Sequence, residues 1–320
     1  MLVCEDAPPE LLAVLQGDDD PGHPLEVDYR PDLHAQPDAL RVAVSSCDGL
    51  VVRNRTRVDD ALLDAGGSRL RVVGRLGAGL DNVDVAAARR RGIEVVYAPW
   101  ANSASVAEHA LGLILALARR LTALDAGCRS GRWDRDACGT ELRGRTLGIL
   151  GYGAVGRHLA LAAGALGMRV ITHHPRRAPD HPDLVTAGVQ WVDEEALLRQ
   201  AEILSVHLPQ RPDTENYLDR RRLGLLPPGA LLVNTGRGGV IDETALADAL
   251  RSGRLGGAAL DVRAQEPPPQ PDPLAALDNV LLTPHVGGLT AAAQARVGRQ
   301  VGEDIRRVLG GLPPLRPAPA

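Results

Sequence analysis

The sequence contains no phenylalanine, and Phe, Trp and Tyr together make up only 2% of its 320 residues. The hydrophobic core must therefore be built from Leu, Val, Ile and Ala, and few aromatic rings are available for stacking on nucleic-acid bases. An excess of positive charge is also missing, because 36 basic residues stand against 40 acidic ones and the net charge is −4. A nucleic-acid partner and an anionic membrane surface are therefore not expected.

Cysteine is scarce and is not arranged for metal binding. Cys4, Cys47, Cys128 and Cys138 include no CxxC pair, and no histidine stands at zinc-ligand spacing from them. Reduced thiols in a cytoplasmic protein without a metal site are therefore expected. The N-terminal residues MLVCEDAPPE carry acids early and no long apolar run, which predicts neither a signal peptide nor a membrane anchor.

Short runs rich in Val, Ile and Leu alternate with longer helical patterns. Each run is apolar and is followed by a turn or a polar residue, which is typical of parallel strands covered on both faces. The predicted strands are Arg71–Val73, Glu94–Tyr97, Thr146–Leu150, Arg169–Thr172, Ile203–His207, Ala230–Asn234, Ala258–Val262 and Val280–Thr283. This pattern in 320 residues predicts an α/β protein of two domains. The proline-rich segment Leu312–Ala320 is expected to be disordered.

A glycine-rich turn follows the strand Thr146–Leu150. Its sequence, GYGAVG, runs from Gly151 to Gly156 and leads into a helix predicted from about Arg157 to Leu166. A strand, this glycine spacing, a helix and a second strand are the order that a dinucleotide-binding fold requires. Gly151 would permit the tight turn, Gly153 would let the backbone approach the pyrophosphate, and Gly156 would let helix pack on strand.

The end of the second strand favours one form of the dinucleotide. An acid is expected about 20 residues after the glycines, where it would bind the ribose 2′-OH. His174 occupies that region instead, and Arg176 and Arg177 follow it. Guanidinium groups suit the 2′-phosphate of NADP, so the sequence favours NADP over NAD, although a solvated basic loop would have the same residues.

Three polar side chains follow three different predicted strands. Arg237 comes after Ala230–Asn234, Glu266 comes after Ala258–Val262, and His285 comes after Val280–Thr283. Ligands bind beyond the carboxyl ends of strands in open α/β sheets. Arg237 would hold a substrate carboxylate and polarise the adjacent carbonyl, His285 would transfer a proton, and Glu266 would fix the imidazole tautomer.

At this point the sequence resembles the D-isomer-specific 2-hydroxyacid dehydrogenases, which include D-3-phosphoglycerate dehydrogenases. The resemblance covers nearly the whole chain and is carried by six motifs. These are RLGAGLDN (75–82), SVAEH (105–109), ELRGRTLGILGYG (141–153), NTGR (234–237), LDV with EP (260–262 and 266–267) and TPH (283–285).

The resemblance implies a fold and a set of roles. Two Rossmann-like domains are expected, with a dinucleotide-binding domain (100–285) inserted into a flavodoxin-like substrate domain (1–99 and 286–320). It also implies homodimers formed through the dinucleotide domain and its long helix. Arg237, Glu266 and His285 match the family's catalytic residues. The residues expected to contact the dinucleotide are Gly151, Gly153, Ala154, Val155, Gly156, His174, Arg176, Arg177, His207, Pro209, Thr235 and Asp261. The residues expected to contact the substrate are Arg53, Leu76, Gly77, Ala78 and Gly79.

Several residues keep a second interpretation. Arg53 is equally typical of a solvated loop cation, and Asp261 could cap a following turn instead of contacting the nicotinamide. Glu266 could be an ordinary loop acid, and His207 is as easily explained by a bond to the backbone. His109 lies in a helix beside Glu108 and is expected to be a packing or interface residue.

The expected activity is hydride transfer between NAD(P) and a small D-2-hydroxy acid or 2-oxo acid. Arg53 and Arg55 favour a substrate with a second anionic group, as in 3-phosphoglycerate-like or sulfolactate-like acids. A glyoxylate- or hydroxypyruvate-type reductase is the alternative substrate class. A non-enzymatic, dinucleotide-sensing corepressor is the alternative of another class, because such relatives keep the same Arg, Glu and His.

Overall fold

Helices and strands alternate along the chain in a computed structural model that describes residues 1–17, 24–175, 184 and 187–319. The strands are β1 (Leu2–Val3), β2 (Asp28–Tyr29), β3 (Gly49–Val52), β4 (Val72–Arg75), β5 (Glu94–Tyr97), β6 (Thr146–Leu150), β7 (Arg169–His173), β8 (Gln190–Trp191), β9 (Ile203–Val206), β10 (Ala230–Asn234), β11 (Leu255–Leu260) and β12 (Val280–Leu282). The helices are α1 (Pro9–Gln16), α2 (Pro37–Val44), α3 (Asp60–Gly66), α4 (Val85–Arg90), α5 (Ser103–Ala118), α6 (Leu121–Arg129), α7 (Ala154–Ala165), α8 (Glu194–Gln200), α9 (Arg220–Leu223), α10 (Glu243–Arg251) and α11 (Ala291–Leu309).

The chain divides into two compact units. Unit 1 comprises residues 1–102 and 289–320, and unit 2 is the continuous segment 103–288. The α/β class predicted from the sequence is confirmed, since both units contain parallel sheets with helices between successive strands. The substrate-binding and dinucleotide-binding roles expected for the two segments remain predictions.

Unit 2 is built on a parallel sheet of strand order β12-β11-β10-β9-β6-β7-β8. Counted from β6, this is the order 3-2-1-4-5-6 of a doubly wound dinucleotide fold with one further strand at its edge. Successive residues of a strand enter different hydrophobic clusters. Ile149 and Val233 belong to one cluster, and Leu150 and Leu232 belong to the other. The sheet is therefore covered on both faces, which explains why its strands are continuously apolar.

Unit 1 has a second parallel sheet of order β2-β1-β3-β4-β5. This is the flavodoxin-like order 2-1-3-4-5. Helix α11 packs on α1, β4 and β5, although these elements lie in the first 97 residues and α11 begins only at Ala291. A β-carbon at Gly74 of β4 would lie 2.6 Å from Ile305 of α11, so the glycine is what permits this close packing.

The proline-rich segment 312–319 is ordered, so the expectation of disorder is wrong for these residues. The buried carboxylate of Asp304 accepts hydrogen bonds from the amide of Leu315 at 2.7 Å and from Nε of Arg316 at 2.8 Å. The amide of Ala318 donates to the carbonyl of Val95 in edge strand β5 at 2.8 Å. Composition alone does not show such anchoring, because the partner groups belong to other elements.

Within the described part of the chain, no helix is both long and apolar enough to span a membrane.

Candidate active site

The glycine turn after β6 has the geometry that the sequence predicts. Gly151 has a positive φ of 101°, which side chains rarely adopt. A β-carbon at Gly156 would lie 2.8 Å from the carbonyl oxygen of Gly151, so this glycine lets α7 pack closely on the turn. A β-carbon at Gly153 would meet open space. Helix α7 begins at Ala154, three residues earlier than expected, because extended Gly153 is its N-cap.

His285 and Glu266 form a hydrogen-bonded pair. The Nδ1 atom of His285 lies 2.8 Å from Oε2 of Glu266, which leaves Nε2 to face a reactant. The other oxygen, Oε1, accepts a hydrogen bond from the Arg263 amide at 3.0 Å. Partial burial acts to raise the pKa of Glu266, but these two hydrogen bonds and the charges of His285 and Arg237 bring that pKa below its ordinary value. Glu266 is therefore a carboxylate at neutral pH.

The loop after β10 carries Arg237 to the neighbourhood of Glu266. Asn234 braces this loop, because its Nδ2 donates to the carbonyl of Arg237 and its Oδ1 accepts from the amide of Gly236, both at 3.0 Å. A β-carbon at Gly238 would lie 1.8 Å from the carbonyl carbon of Arg263. This glycine therefore serves close packing of two protein segments.

Asp261 anchors the turn that carries His285. Its carboxylate is buried and accepts hydrogen bonds from Oγ1 of Thr283 at 2.6 Å, from the amide of Val286 at 2.9 Å and from the amide of Gly287 at 2.8 Å. His285 itself has a positive φ of 56° and donates its amide to the Asp261 carbonyl at 2.7 Å. Asp261 thus holds a turn that brings His285 into place, a role close to the capping alternative.

His109 extends this network from α5. Its Nε2 lies 3.2 Å from Oγ1 of Thr283. Because the Thr283 hydroxyl donates its only proton to Asp261, His109 is the donor in this contact. The expected packing role fits this contact, although the sequence did not indicate the partner.

Two further residues expected at the dinucleotide lie beside the glycine turn or in the loop after β10. Nε2 of His207 lies 2.9 Å from Oγ of Ser205, and burial lowers the pKa of His207 to about 4, so this imidazole is neutral. The side chain of Thr235 is buried, and its Oγ1 has no hydrogen-bond partner within the described residues. Such an orphaned hydroxyl fits a bound polar ligand.

Arg176 and Arg177 lie outside the described residues. His174 directly follows β7 and is partly buried. The Rossmann-type strand order places the ends of β6 and β7 next to each other.

The expected substrate residues belong to unit 1. The amide of Leu76 donates to the carbonyl of Val52 at 2.8 Å, and the amide of Gly77 donates to the carbonyl of Arg75 at 2.9 Å. The amides of Leu76 and Gly77 are therefore already bonded within the protein, and the substrate contacts expected of residues 76–79 remain predictions. Arg53 is partly buried, and its Nη2 donates to Oε1 of Gln294 at 2.8 Å.

Sequence reasoning missed Glu5 and Arg263, which support the loops of these candidate sites. Glu5 accepts hydrogen bonds from the amides of residues 53–56, and Arg263 donates its amide to Glu266. A charged residue beside an apolar strand end is the only sequence signal at either position. The amides that Glu5 binds lie 48 to 51 positions away in the chain, so local patterns do not show this contact. Among the described residues, no group of three or more His, Cys, Asp or Glu side chains is arranged to hold a metal ion.

The chain is similar to a protein-family model, to curated proteins and to solved structures. Residues 111–287 match the family model described as D-isomer specific 2-hydroxyacid dehydrogenase, NAD binding domain. A D-3-phosphoglycerate dehydrogenase of Mycobacterium leprae (strain TN) is 44% identical over 273 residues, which are 85% of this chain and 51% of that protein. The chain thus spans about half the length of this relative.

Two other relatives match over nearly their whole length. A hydroxypyruvate reductase of Thermotoga maritima is 40% identical over 280 residues, which are 87% of this chain and 90% of that protein. The crystal structure of the TT0316 protein from Thermus thermophilus has a TM-score of 0.89 and 35% identity, and covers 99% of both chains.

Proposed function

The chain belongs to the D-isomer specific 2-hydroxyacid dehydrogenase family, and we propose that it transfers a hydride between NAD(P) and a small D-2-hydroxy acid or 2-oxo acid. The observation that carries this proposal is the 2.8 Å pairing of His285 Nδ1 with Glu266 Oε2, close enough to Arg237 for its charge to act on the carboxylate. A bound dinucleotide would supply or accept the hydride at C2 of the acid.

Each of the three side chains has a separate part in this chemistry. In reduction, Nε2 of His285 donates a proton to the oxygen of the 2-oxo group, and in oxidation it takes that proton back. Glu266 carries a negative charge at neutral pH, so it stabilises the protonated imidazole and fixes its orientation. Arg237 binds the substrate carboxylate and polarises the adjacent carbonyl.

The dinucleotide would be held by the glycine turn after β6 and by neighbouring loops. The open space at Gly153 admits a pyrophosphate, and the first turn of α7, with Ala154 and Val155, presents backbone amides and the positive end of the helix. The orphaned hydroxyl of Thr235 offers one more bond, and His207 and Pro209 belong to the next loop along the sheet. Asp261 keeps acceptor capacity for a carboxamide, since a carboxylate has about four lone-pair sites.

Substitution of the catalytic residues tests the reaction. In His285→Ala, turnover should fall by about 10²- to 10⁴-fold, which is the usual contribution of a general acid or base. Arg237→Ala should also lower turnover strongly, and both variants should bind the dinucleotide normally in a fluorescence titration. Arg220→Ala, which removes an exposed arginine of α9, is the control. Retained turnover in both catalytic variants would contradict the assignment.

For the substrate, we propose a 2-hydroxy acid with a second anionic group, recognised by Arg53. The M. leprae relative is named for a phosphorylated acid, which supports this proposal. The T. maritima relative is named for hydroxypyruvate, which supports the alternative of a glyoxylate- or hydroxypyruvate-type substrate. Initial rates over a panel of 2-oxo acids distinguish the two. Arg53→Met should lower kcat/KM for dianionic acids only. Equal wild-type rates on monoanionic and dianionic acids would remove the role of Arg53.

For the cofactor, we propose NADP, because His174 stands where an acid would bind the ribose 2′-OH and two arginines follow in the sequence. The panel is therefore run with both NADH and NADPH, and His174→Asp should shift the preference toward NADH. A wild-type preference for NADH would refute the proposal. Tight dinucleotide binding without activity on any acid would instead support the corepressor alternative.

We also propose a homodimer formed through unit 2. Large exposed apolar side chains of this unit include Leu115 on α5, Leu121 on α6, Leu161 on α7 and Trp133 after α6, which is 77% exposed. Exposed apolar residues on neighbouring elements are typical of association surfaces. Leu121→Lys combined with Trp133→Lys should give monomers in light scattering, and Val42→Lys on α2 is the control. A monomeric wild type would contradict this proposal.

The cysteines support a cytoplasmic location. Cys4, Cys47, Cys128 and Cys138 are all free, and Cys128 and Cys138 are exposed. Exposed thiols stay reduced in the cytoplasm but are oxidised in secreted proteins.

A further inference from the structure

The guanidinium of Arg263 lies between two carboxylates, and only 8% of its side chain is exposed. Nε and Nη2 donate to the two oxygens of Glu243, each at 3.0 Å. Nη1 and Nη2 donate to the two oxygens of Asp272 at 2.5 and 3.0 Å. Paired forks of this kind fix the plane of a guanidinium group as well as balancing its charge. Arg263, Glu243 and Asp272 are called the Arg263 cluster below.

The Arg263 cluster closes the proline-rich loop 263–274 at both ends. The amide of Ala264 donates to Oε1 of Glu243 at 2.8 Å, and the amide of Leu274 donates to Oδ1 of Asp272 at 3.0 Å. Prolines have no N–H to donate, so a loop rich in them has few backbone hydrogen bonds of its own. Side-chain contacts must therefore hold this loop, and Glu266 lies inside the segment that they close.

The main chain of Arg263 contacts the catalytic residue Glu266 and the loop that carries Arg237. Its amide donates to Oε1 of Glu266 at 3.0 Å. Its carbonyl packs against Gly238, the residue after Arg237, so closely that any β-carbon there would overlap. The side chain thus holds a backbone segment that touches the proton-transfer pair on one side and the Arg237 loop on the other.

We propose that Arg263 is a positioning residue of the active site, whose paired carboxylates hold its amide against Glu266 and thereby keep Glu266 against His285. Glu243 and Asp272 act in the same way through Arg263. The kinetic test of this inference rests on the proposed function. The spectroscopic readout is independent of turnover.

The groups that act on the Glu266 carboxylate define what should change. They are the hydrogen bonds from His285 and from the Arg263 amide, and the charge of Arg237, all of which lower the pKa of Glu266 against the effect of burial. If the loop loosens, the bond from the Arg263 amide weakens and the pKa of Glu266 rises toward its ordinary value. The active, charged form is then lost at a higher pH as the solution is acidified.

Two conservative variants test the proposal without leaving both carboxylates buried and unpaired. Arg263→Lys keeps the charge but cannot form both forks, and Asp272→Asn keeps the shape of the side chain but removes one charge. Asp248→Asn is the matched control. Asp248 is also paired with an arginine, Arg220, but this pair lies at the surface of α10 and not in the Arg263 cluster. The measurements are kcat and KM against pH, the thermal midpoint, and the carboxyl ¹³C titration of Glu266, assigned by its loss in Glu266→Gln.

We expect kcat to fall about tenfold in Arg263→Lys, a part of the 10²- to 10⁴-fold effect of general acid–base catalysis, with little change in KM. The acid limb of the rate profile and the Glu266 titration should both move to higher pH, and Asp272→Asn should show the same changes to a smaller degree. Lower thermal midpoints with an unchanged Glu266 titration and unchanged kcat in both variants would overturn the proposal. If the wild type reduces no 2-oxo acid, the proposed function fails, but the ¹³C titration still decides the positioning role.

Discussion

At the scale of single residues, buried carboxylates organise the loops of this protein. Glu5 is 2% exposed, and its two oxygens accept four backbone amides. The amides of Arg53 and Thr56 bond to Oε1 at 2.8 and 2.9 Å, and those of Asn54 and Arg55 bond to Oε2 at 3.2 and 2.9 Å. A concave group of amides would otherwise attract an anion from solution. Here the anion is supplied by the chain itself, and the loop that presents Arg53 is fixed by it.

Replacement of Glu5 should therefore destabilise the protein. Glu5→Gln puts an NH₂ group against backbone donors, and we expect the free energy of unfolding at pH 7 to fall by about 3 kcal/mol. Asp6→Asn changes the exposed neighbouring acid and should have little effect on stability. Urea denaturation measures both, and equal unfolding free energies for wild type and Glu5→Gln would contradict the role of Glu5.

The same residue predicts a dependence of stability on pH. Burial acts to raise the pKa of Glu5, but the hydrogen bonds from the amides of Arg53, Arg55 and Thr56 bring it below its ordinary value. A carboxyl whose folded pKa is lowered contributes stability above its unfolded pKa, about 4.3, and loses it as pH falls through the folded value. The difference between wild type and Glu5→Gln should therefore shrink when the urea series is repeated below pH 4.

At the scale of elements, several of the described helices begin directly after an aspartate or a threonine. The side chains of Asp59, Asp84, Asp193, Asp242 and Thr290 each accept the backbone amide three residues later. Such N-caps satisfy amides that have no partner in the first turn of a helix. Helix α7 differs, because Gly153 is its N-cap and provides no side-chain bond. Its first amides are thus available to a ligand.

The two glycines of α7 should respond to alanine with opposite signs. In Gly156→Ala, the new β-carbon would lie 2.8 Å from the carbonyl oxygen of Gly151, so the helix must shift. We expect a loss of about 2 kcal/mol of stability and weaker dinucleotide binding. In Gly164→Ala, the β-carbon meets open space, and helix propensity should add about 1 kcal/mol. Urea denaturation and a dinucleotide titration measure the pair, and a change of the same sign in both variants would be incompatible with this packing.

At the scale of the whole molecule, each unit has its own sheet and its own hydrophobic core. The clusters that cover the two faces of the unit 2 sheet contain only residues of unit 2, and those of unit 1 contain only residues of unit 1. The core of unit 1 includes Val297, Val301 and Ile305 of α11. The first 102 residues alone therefore lack part of their own core.

Fragments of the chain should differ in stability accordingly. The fragment 103–288 contains a complete doubly wound sheet, so we expect it to unfold cooperatively in urea and to bind the dinucleotide. The fragment 1–102 should show no cooperative transition, because α11 is missing. Addition of residues 289–320 through a flexible linker should restore the transition. A cooperative transition in 1–102 alone would show that α11 is dispensable.

The sequence by itself determined the fold class, six of the seven strands of the unit 2 sheet and the place of the candidate catalytic residues after those strands, but only two of the five strands of the unit 1 sheet. Apolar runs, glycine spacing and turn residues act within a few positions of each other, so they can be recognised without knowledge of the packing. The glycine turn at Gly151–Gly156 has the backbone that its spacing predicts, and Glu266 pairs with His285 as expected. Family membership follows from the same motifs.

Only the tertiary structure decided which distant groups support the site. Arg263 meets Glu243 and Asp272, Glu5 meets the amides of residues 53–56, and Asp304 orders the proline-rich segment. The partners are separated by between 9 and 51 positions, and each position alone resembles an ordinary surface charge. Whether such a charge is buried and paired depends on how helices and strands pack around it, because packing sets both the loss of hydration and the distance between partners.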